Sequence, residues 1–166
     1  FWQLSKMLRR SGAGVWRIGF NRGDRAFWFD SAHFIPFRDA PEAWPARVEA
    51  IIVEKGITDL VLYGDTRAIH AQAVAVARRL GLMVHVFEEG YIRPYWVSYE
   101  RGGSNGHSRL MDTGVEEMRA ALAKADMDLP DAPARWGDLR QHMVWGAIYH
   151  WFVMMGFWDF RNFRPH

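Results

Sequence analysis

Thr58-Asp59-Leu60-Val61-Leu62-Tyr63-Gly64-Asp65-Thr66 is a short apolar run that ends on a glycine and an acid. After Thr58 and Asp59 the run is apolar or aromatic up to Gly64, which suits a strand covered on both faces of a parallel sheet. Helical spacing follows from about Arg67 to Leu80 and stops at Gly81. Leu82 to Phe87 is a second buried-strand run. Upstream, Pro41-Glu42 opens a helix that continues to about Lys55 and closes at Gly56, because proline is accepted in a first turn and glycine favours the end.

Further upstream, Val15 to Phe20 alternates as a strand. Trp2 to Arg10 reads as a short amphipathic helix ended by Ser11-Gly12-Ala13-Gly14. Asn21 to Arg25 carries turn chemistry and predicts a loop. Phe27 to Phe37 is aromatic and irregular, with room for a short strand and a turn. Helices and strands alternate with short links, which predicts an α/β fold, a Rossmann-like doubly wound parallel sheet. Such a domain normally begins with a strand. A first strand and its ligand-binding loop are therefore expected upstream of Phe1, and with Phe1 in place of an initiator Met the chain is expected to be a fragment or a processed product.

After Pro94 the pattern changes. Tyr95 to Glu100 reads as a short strand, Arg101 to Gly106 as a glycine-rich loop, and Gly114 to Lys124 as an amphipathic helix. Asp126 to Pro133 is a linker, and Leu139 to about Phe157 an aromatic helix. Residues 1–112 are expected to form the Rossmann-like domain, incomplete at its start, and residues 113–166 a helical extension. Met143 to Trp158 lacks Asp, Glu, Lys and Arg. It suits a buried or domain-bridging helix, or one resting on a membrane surface where Trp and Tyr concentrate. A spanning helix needs roughly 20 apolar residues, and this run is shorter and interrupted.

Composition narrows the chemistry. The chain has 166 residues, a formal charge of +2 and no cysteine. Near-neutral charge argues against bulk nucleic-acid binding. Without cysteine there is no disulfide, thiolate nucleophile, Cys-ligated zinc or iron–sulfur cluster. No HxH, HExxH or clustered acid/His pattern suggests a metal, and no Walker A, complete GxGxxG or GxSxG pattern is present.

Two strand ends carry chemistry-bearing residues. Gly64-Asp65 follows one strand and opens a helix, where anions are attracted by free N–H groups and the dipole. Asp65 there is either an N-cap or a ligand contact. Arg67 and His70 lie one turn apart and could hold a phosphate or carboxylate, or be solvated. Glu88-Glu89-Gly90 ends the next strand, with Arg93 close behind. Adjacent strand residues point to opposite faces, so one glutamate faces a crevice while the other caps or pairs. A carboxylate so placed could serve as nucleophile, general base or stabiliser of an oxocarbenium-like centre, or be a polar strand end. Asn105-Gly106 is by itself a common turn dipeptide.

Three segments together resemble one family. Leu62 to His70 is similar to its "LYGDxRxxH" segment, Val86 to Pro94 to its "VFEEGYxRP" segment, and Glu100 to Ser108 to its "ERxGxNGxS" segment. Their order and spacing agree, as does the aromatic region ending in Arg161-Asn162-Phe163-Arg164-Pro165-His166. The family is the capsule polysaccharide biosynthesis and export proteins of Gram-negative bacteria, of the KpsS/LipB type. The resemblance implies the N-terminal half of a two-domain GT-B-like glycosyltransferase, cytoplasmic and peripheral at the inner membrane. It implies transfer of β-linked Kdo (3-deoxy-D-manno-octulosonic acid) from CMP-Kdo to a phosphatidylglycerol-type lipid with retention, starting the capsule linker. The donor substrate is the nucleotide sugar, with no cofactor, and capsule assembly and export proteins are candidate partners. In related Kdo transferases an Asp stands before the glycine of the motif as candidate nucleophile. That position is Glu89 here, with Asp65, Arg67, His70, Glu88, Gly90, Arg93, Asn105 and Gly106 as substrate-binding candidates. A 166-residue piece without its second domain is expected to lack transferase activity. A non-catalytic glycolipid-binding export partner and a generic Rossmann-like nucleotide-binding module are the rival readings.

Overall fold

A computed structural model describes residues 1–90, 96–125 and 139–155. Two compact units divide the chain. One comprises Phe1–Trp44 together with the carboxy-terminal segment that holds the aromatic helix; the other begins at Pro45.

In the first unit, α1 (Trp2–Arg10) precedes β1 (Arg17–Gly19), α2 (Arg22–Ala26) and β2 (Phe34–Pro36). β1 and β2 pair in parallel, with Ile18 opposite Ile35, so β1-α2-β2 is a small crossover unit. The residues expected to form a loop, Asn21 to Arg25, instead open α2. Asn21 is extended and its side chain accepts from the Asp24 amide, the geometry of an N-cap. The same side-chain chemistry serves turns and caps, which is why the sequence pattern could not separate them.

Aromatic packing holds this unit together. Trp28, Phe37 and Trp44 are buried. The Phe37 and Trp44 rings meet edge-to-face at 5.1 Å, and Trp2 meets Trp28 in the same way. Arg9 hydrogen-bonds Asp30 and also donates to the Val15 carbonyl, tying α1 to the loop before β2. The Arg9 hydrogen bond, assisted by His33, pulls the Asp30 carboxyl down to about 2.

The aromatic helix is α6 (Leu139–Met155). Tyr149 Oη accepts from Asn21, and the Phe27 ring meets those of Trp145 and Tyr149 at 6.0 Å. Even so, much of α6 is exposed: Met143, Val144, Trp145, Trp151, Met154 and Met155 are all at least half exposed. Among the described residues no helix is long and apolar enough to cross a membrane.

The second unit contains most of α3 (Trp44–Lys55), then β3 (Asp59–Tyr63), α4 (Ala68–Arg79), β4 (Met83–Glu89), β5 (Val97–Arg101) and α5 (Val115–Lys124). β3 and β4 pair in parallel from Asp59↔Met83 to Tyr63↔Phe87. The β3-α4-β4 crossover therefore has the expected architecture. Val84 and Val86 on β4 pack against Val74 and Ala77 of α4, with Leu60 and Leu62 of β3 alongside. Each fully buried valine contributes about 1.5–3 kcal/mol of transfer free energy. β5 differs from a doubly wound pattern. It runs antiparallel to β4, with Phe87↔Tyr99 and Glu89↔Val97 paired, so the sheet is mixed. The α/β class holds, while an all-parallel sheet does not describe these strands. The expected linker Asp126–Pro133, Arg93 and the 161–166 tail lie outside the described residues.

Candidate functional site

The site forms where β3 and β4 end together. Because these strands are parallel, the segments after Tyr63 and Glu89 emerge at the same edge of the sheet, which is where α/β folds present ligand-binding groups. After β5 the chain turns back and brings Ser104 to Asp65 and Asn105 to Glu88.

Asp65 is the anchor. It is 4% exposed, which is rare for a carboxylate without partners. It does not cap α4, since the N-cap position is Arg67, without a side-chain cap bond. Instead one carboxylate oxygen accepts from the Ser104 amide at 3.0 Å and lies 3.2 Å from His107 Nδ1. The other is 3.4 Å from the Ser104 hydroxyl. A buried carboxylate that takes a backbone N–H in this way is a clamp on the Ser104–His107 loop. The loop has its own brace, because Ser108 donates to Glu100 Oε2 at 2.5 Å. Thus the first and last residues of the "ERxGxNGxS" segment hold each other.

The two glutamates part company as strand alternation requires. Glu88 continues the Val84–Val86 face, which α4 covers, and is half-buried. Its Oε2 lies 3.5 Å from Asn105 Nδ2, and its Oε1 accepts from the Glu89 amide at 3.3 Å. Glu89 is on the face of His85 and Phe87 and is exposed. Gly90 is buried, and its amide donates to the Trp96 carbonyl at 2.8 Å. A Cβ at this glycine would lie 2.4 Å from that oxygen, so the approach needs Gly.

Gly64 has φ +71, and its amide donates to the Phe87 carbonyl at 2.8 Å, ending the ladder. An added Cβ would sit 3.1 Å from Glu88 Oε2. Gly64→Ala is therefore expected to cost about 1–2 kcal/mol from the left-handed backbone and to displace Glu88. Urea unfolding of wild type and variant checks this. An alanine variant as stable as wild type would show that the turn tolerates a side chain. Asn105 also has positive φ, at 50°, a conformation that Asn tolerates better than most residues.

The structure thus brings Gly64, Asp65, Glu88 and Asn105 together, with Gly106 following in the same 3-10 turn, Asn105–His107. Arg67 is exposed at the N-cap of α4, and His70 is half-buried one turn further on. Ser104 and His107 had no assigned role from sequence. Their signal was the buried acid itself, which needs donors from somewhere.

A second polar cluster also escaped the sequence reading. On the face opposite α4, His85 is 2.8 Å from Asp59 Oδ1 through Nε2 and 2.6 Å from Tyr99 Oη through Nδ1. Hydrogen bonds from Thr58 and then His85 lower the Asp59 pKa. Among the described residues no group of three His, Cys, Asp or Glu could hold a metal ion.

Residues 58–130 match the family described as capsule polysaccharide biosynthesis protein. The chain is 35% identical to the capsule polysaccharide modification protein LipB of Neisseria meningitidis serogroup A, over 66% of this chain and 26% of that protein. It is 26% identical to the capsule polysaccharide export protein KpsS of Escherichia coli, over 99% of this chain and 40% of that protein. The chain therefore spans less than half the length of these relatives. No solved structure matches.

Proposed function

We propose a sugar-transfer role for this chain, which belongs to the capsule polysaccharide biosynthesis and export family. In the full-length protein the reaction is transfer of β-Kdo from CMP-Kdo to a phosphatidylglycerol-type lipid, with retention. One observation carries the reading: Glu88, braced beside Asn105 and Gly64, stands at the shared carboxyl end of two parallel strands.

Retention by double displacement needs a carboxylate at the anomeric carbon. The carboxylate attacks that carbon as the bond to the CMP oxygen breaks. The acceptor hydroxyl then attacks the glycosyl-enzyme, loses its proton and releases the carboxylate. Placement favours Glu88 over Glu89 for this role, since Glu88 shares a face and neighbours with the rest of the site. Arg67 and Arg93 are the cations proposed for the Kdo carboxylate and the lipid phosphate. The same proposal has the protein act in the cytoplasm, peripheral at the inner membrane, with capsule assembly and export proteins as partners and the nucleotide sugar as donor substrate rather than a cofactor.

The test is incubation of the full-length protein with CMP-Kdo and phosphatidylglycerol. A Kdo-lipid product with a β anomeric signal by NMR is expected. Glycolipid binding without any product would instead assign the protein the export role that the name of the KpsS relative describes.

A further inference from the structure

His107 follows Asn105 in the 3-10 turn that meets the proposed nucleophile, where Asn105 Nδ2 lies 3.5 Å from Glu88 Oε2. Its backbone is fixed from two sides. The His107 amide donates to the Ser104 carbonyl at 2.9 Å. Gly103 packs so closely that a Cβ there would lie 2.5 Å from the His107 carbonyl oxygen and 2.7 Å from the His107 Cβ. In the "ERxGxNGxS" segment residue 107 occupies an open position, so the resemblance gives it no role.

Asp65 orients the ring. His107 Nδ1 lies 3.2 Å from Asp65 Oδ2, on a side chain that is 4% exposed. A carboxylate only accepts, so the hydrogen of this pair sits on Nδ1. In the neutral ring the lone pair is then on Nε2. The His107 side chain is 58% exposed, and among the described residues its ring has no hydrogen-bond partner other than Asp65. An imidazole held through one nitrogen by a buried carboxylate, with the other nitrogen open, has the arrangement of a general base.

Transfer through a Glu88 ester needs one such base. CMP leaves as a phosphate anion and takes no proton, whereas the acceptor hydroxyl must lose one. We propose that His107 Nε2 takes the proton of the acceptor hydroxyl in the second step. As the acceptor oxygen bonds the anomeric carbon, the bond to the Glu88 carboxylate breaks and the proton passes to Nε2. The exposed ring then returns it to water. Asp65 becomes a positioning residue for the base as well as the clamp on its loop. This role rests on the sugar-transfer reading above and supplies the base for its second step.

The experiment uses His107→Asn in the full-length protein. Asn Nδ2 stands where His Nδ1 stood, so the donor to Asp65 is kept and Nε2 is lost. With CMP-Kdo and no acceptor, the variant is expected to form the Kdo adduct and release CMP as wild type does. With phosphatidylglycerol added, its Kdo-lipid formation is expected to fall about a hundredfold or more. Its stability to urea is expected to match wild type. Nitrogen NMR of the His107 ring in the wild-type protein gives a reading that needs no transfer, and Nδ1–H with a bare Nε2 is expected. A ring with its hydrogen on Nε2, or doubly protonated under the assay conditions, would overturn the proposal. So would Kdo-lipid formation by His107→Asn at the wild-type rate, which would leave His107 as a staple of the loop. Equal losses in adduct formation and in transfer would also overturn it, since the base acts only in the second step. Absence of Kdo-lipid from wild type would sink the transfer reading and this role together, whereas the other three outcomes sink this role alone.

Discussion

Asp65→Ala is expected to destabilise the protein by about 2 kcal/mol and to lower the proposed sugar transfer about a hundredfold, although the proposed reaction does not use residue 65 as its reacting group. The reason is the clamp. Asp65 accepts from the Ser104 amide and lies against the Ser104 hydroxyl and His107 Nδ1. Alanine leaves the buried Ser104 without this acceptor, and the loop that sets Asn105 beside Glu88 loses its anchor. Urea unfolding reads the first effect, and hydrogen exchange at the Ser104 amide localises it. Asp65→Asn keeps one acceptor oxygen for the Ser104 amide but presents an N–H₂ group where a second acceptor stood. It should fall between wild type and alanine in both measurements. If Asp65→Ala were fully stable with an unchanged Ser104 exchange rate, the clamp would have no energetic meaning.

This anchor was only half legible in the sequence. A buried strand ending in Gly64-Asp65 predicts a polar group at the sheet edge, and the structure places one there. Local spacing also offered an N-cap role, and a capping reading uses only nearby residues. The actual partners are about forty positions away, and no periodicity links them. Strand direction was similarly hidden. Alternation predicted a strand near Tyr95–Glu100, and β5 forms at Val97–Arg101. Period-2 alternation has no direction, although the short interval after Glu89 does carry a signal. A parallel crossover needs about a dozen residues or more, whereas residues 90–96 separate β4 from β5. The short helix α2 was missed because Asn21 caps and turns with the same side-chain oxygen. The β3-α4-β4 unit, by contrast, followed directly from its apolar runs, because burial on both faces leaves few other choices.

Glu88→Gln in the full-length protein is expected to reduce the proposed Kdo transfer by about a thousandfold or more, with lipid and donor binding retained. Glutamine keeps the shape and can still meet Asn105 but cannot form a glycosyl-enzyme ester. Glu89→Gln is expected to cost far less, about tenfold, because its side chain leaves the sheet on the face of His85 and Phe87. The pair separates the two assignments sharply. The "VFEEGYxRP" resemblance points to the acid directly before Gly90, whereas the strand's alternation points one residue earlier. A strand cannot put both carboxylates on one face without a bulge, and β4 pairs in continuous register with β5 through Glu88↔Ser98 and Glu89↔Val97. Mass spectrometry of the wild-type protein trapped with donor and no acceptor gives an independent reading. A Kdo adduct on the peptide containing residue 88, absent in Glu88→Gln and present in Glu89→Gln, is the expected pattern. The reverse pattern would return the nucleophile to Glu89 and require β4 to twist or bulge at its end when the donor binds.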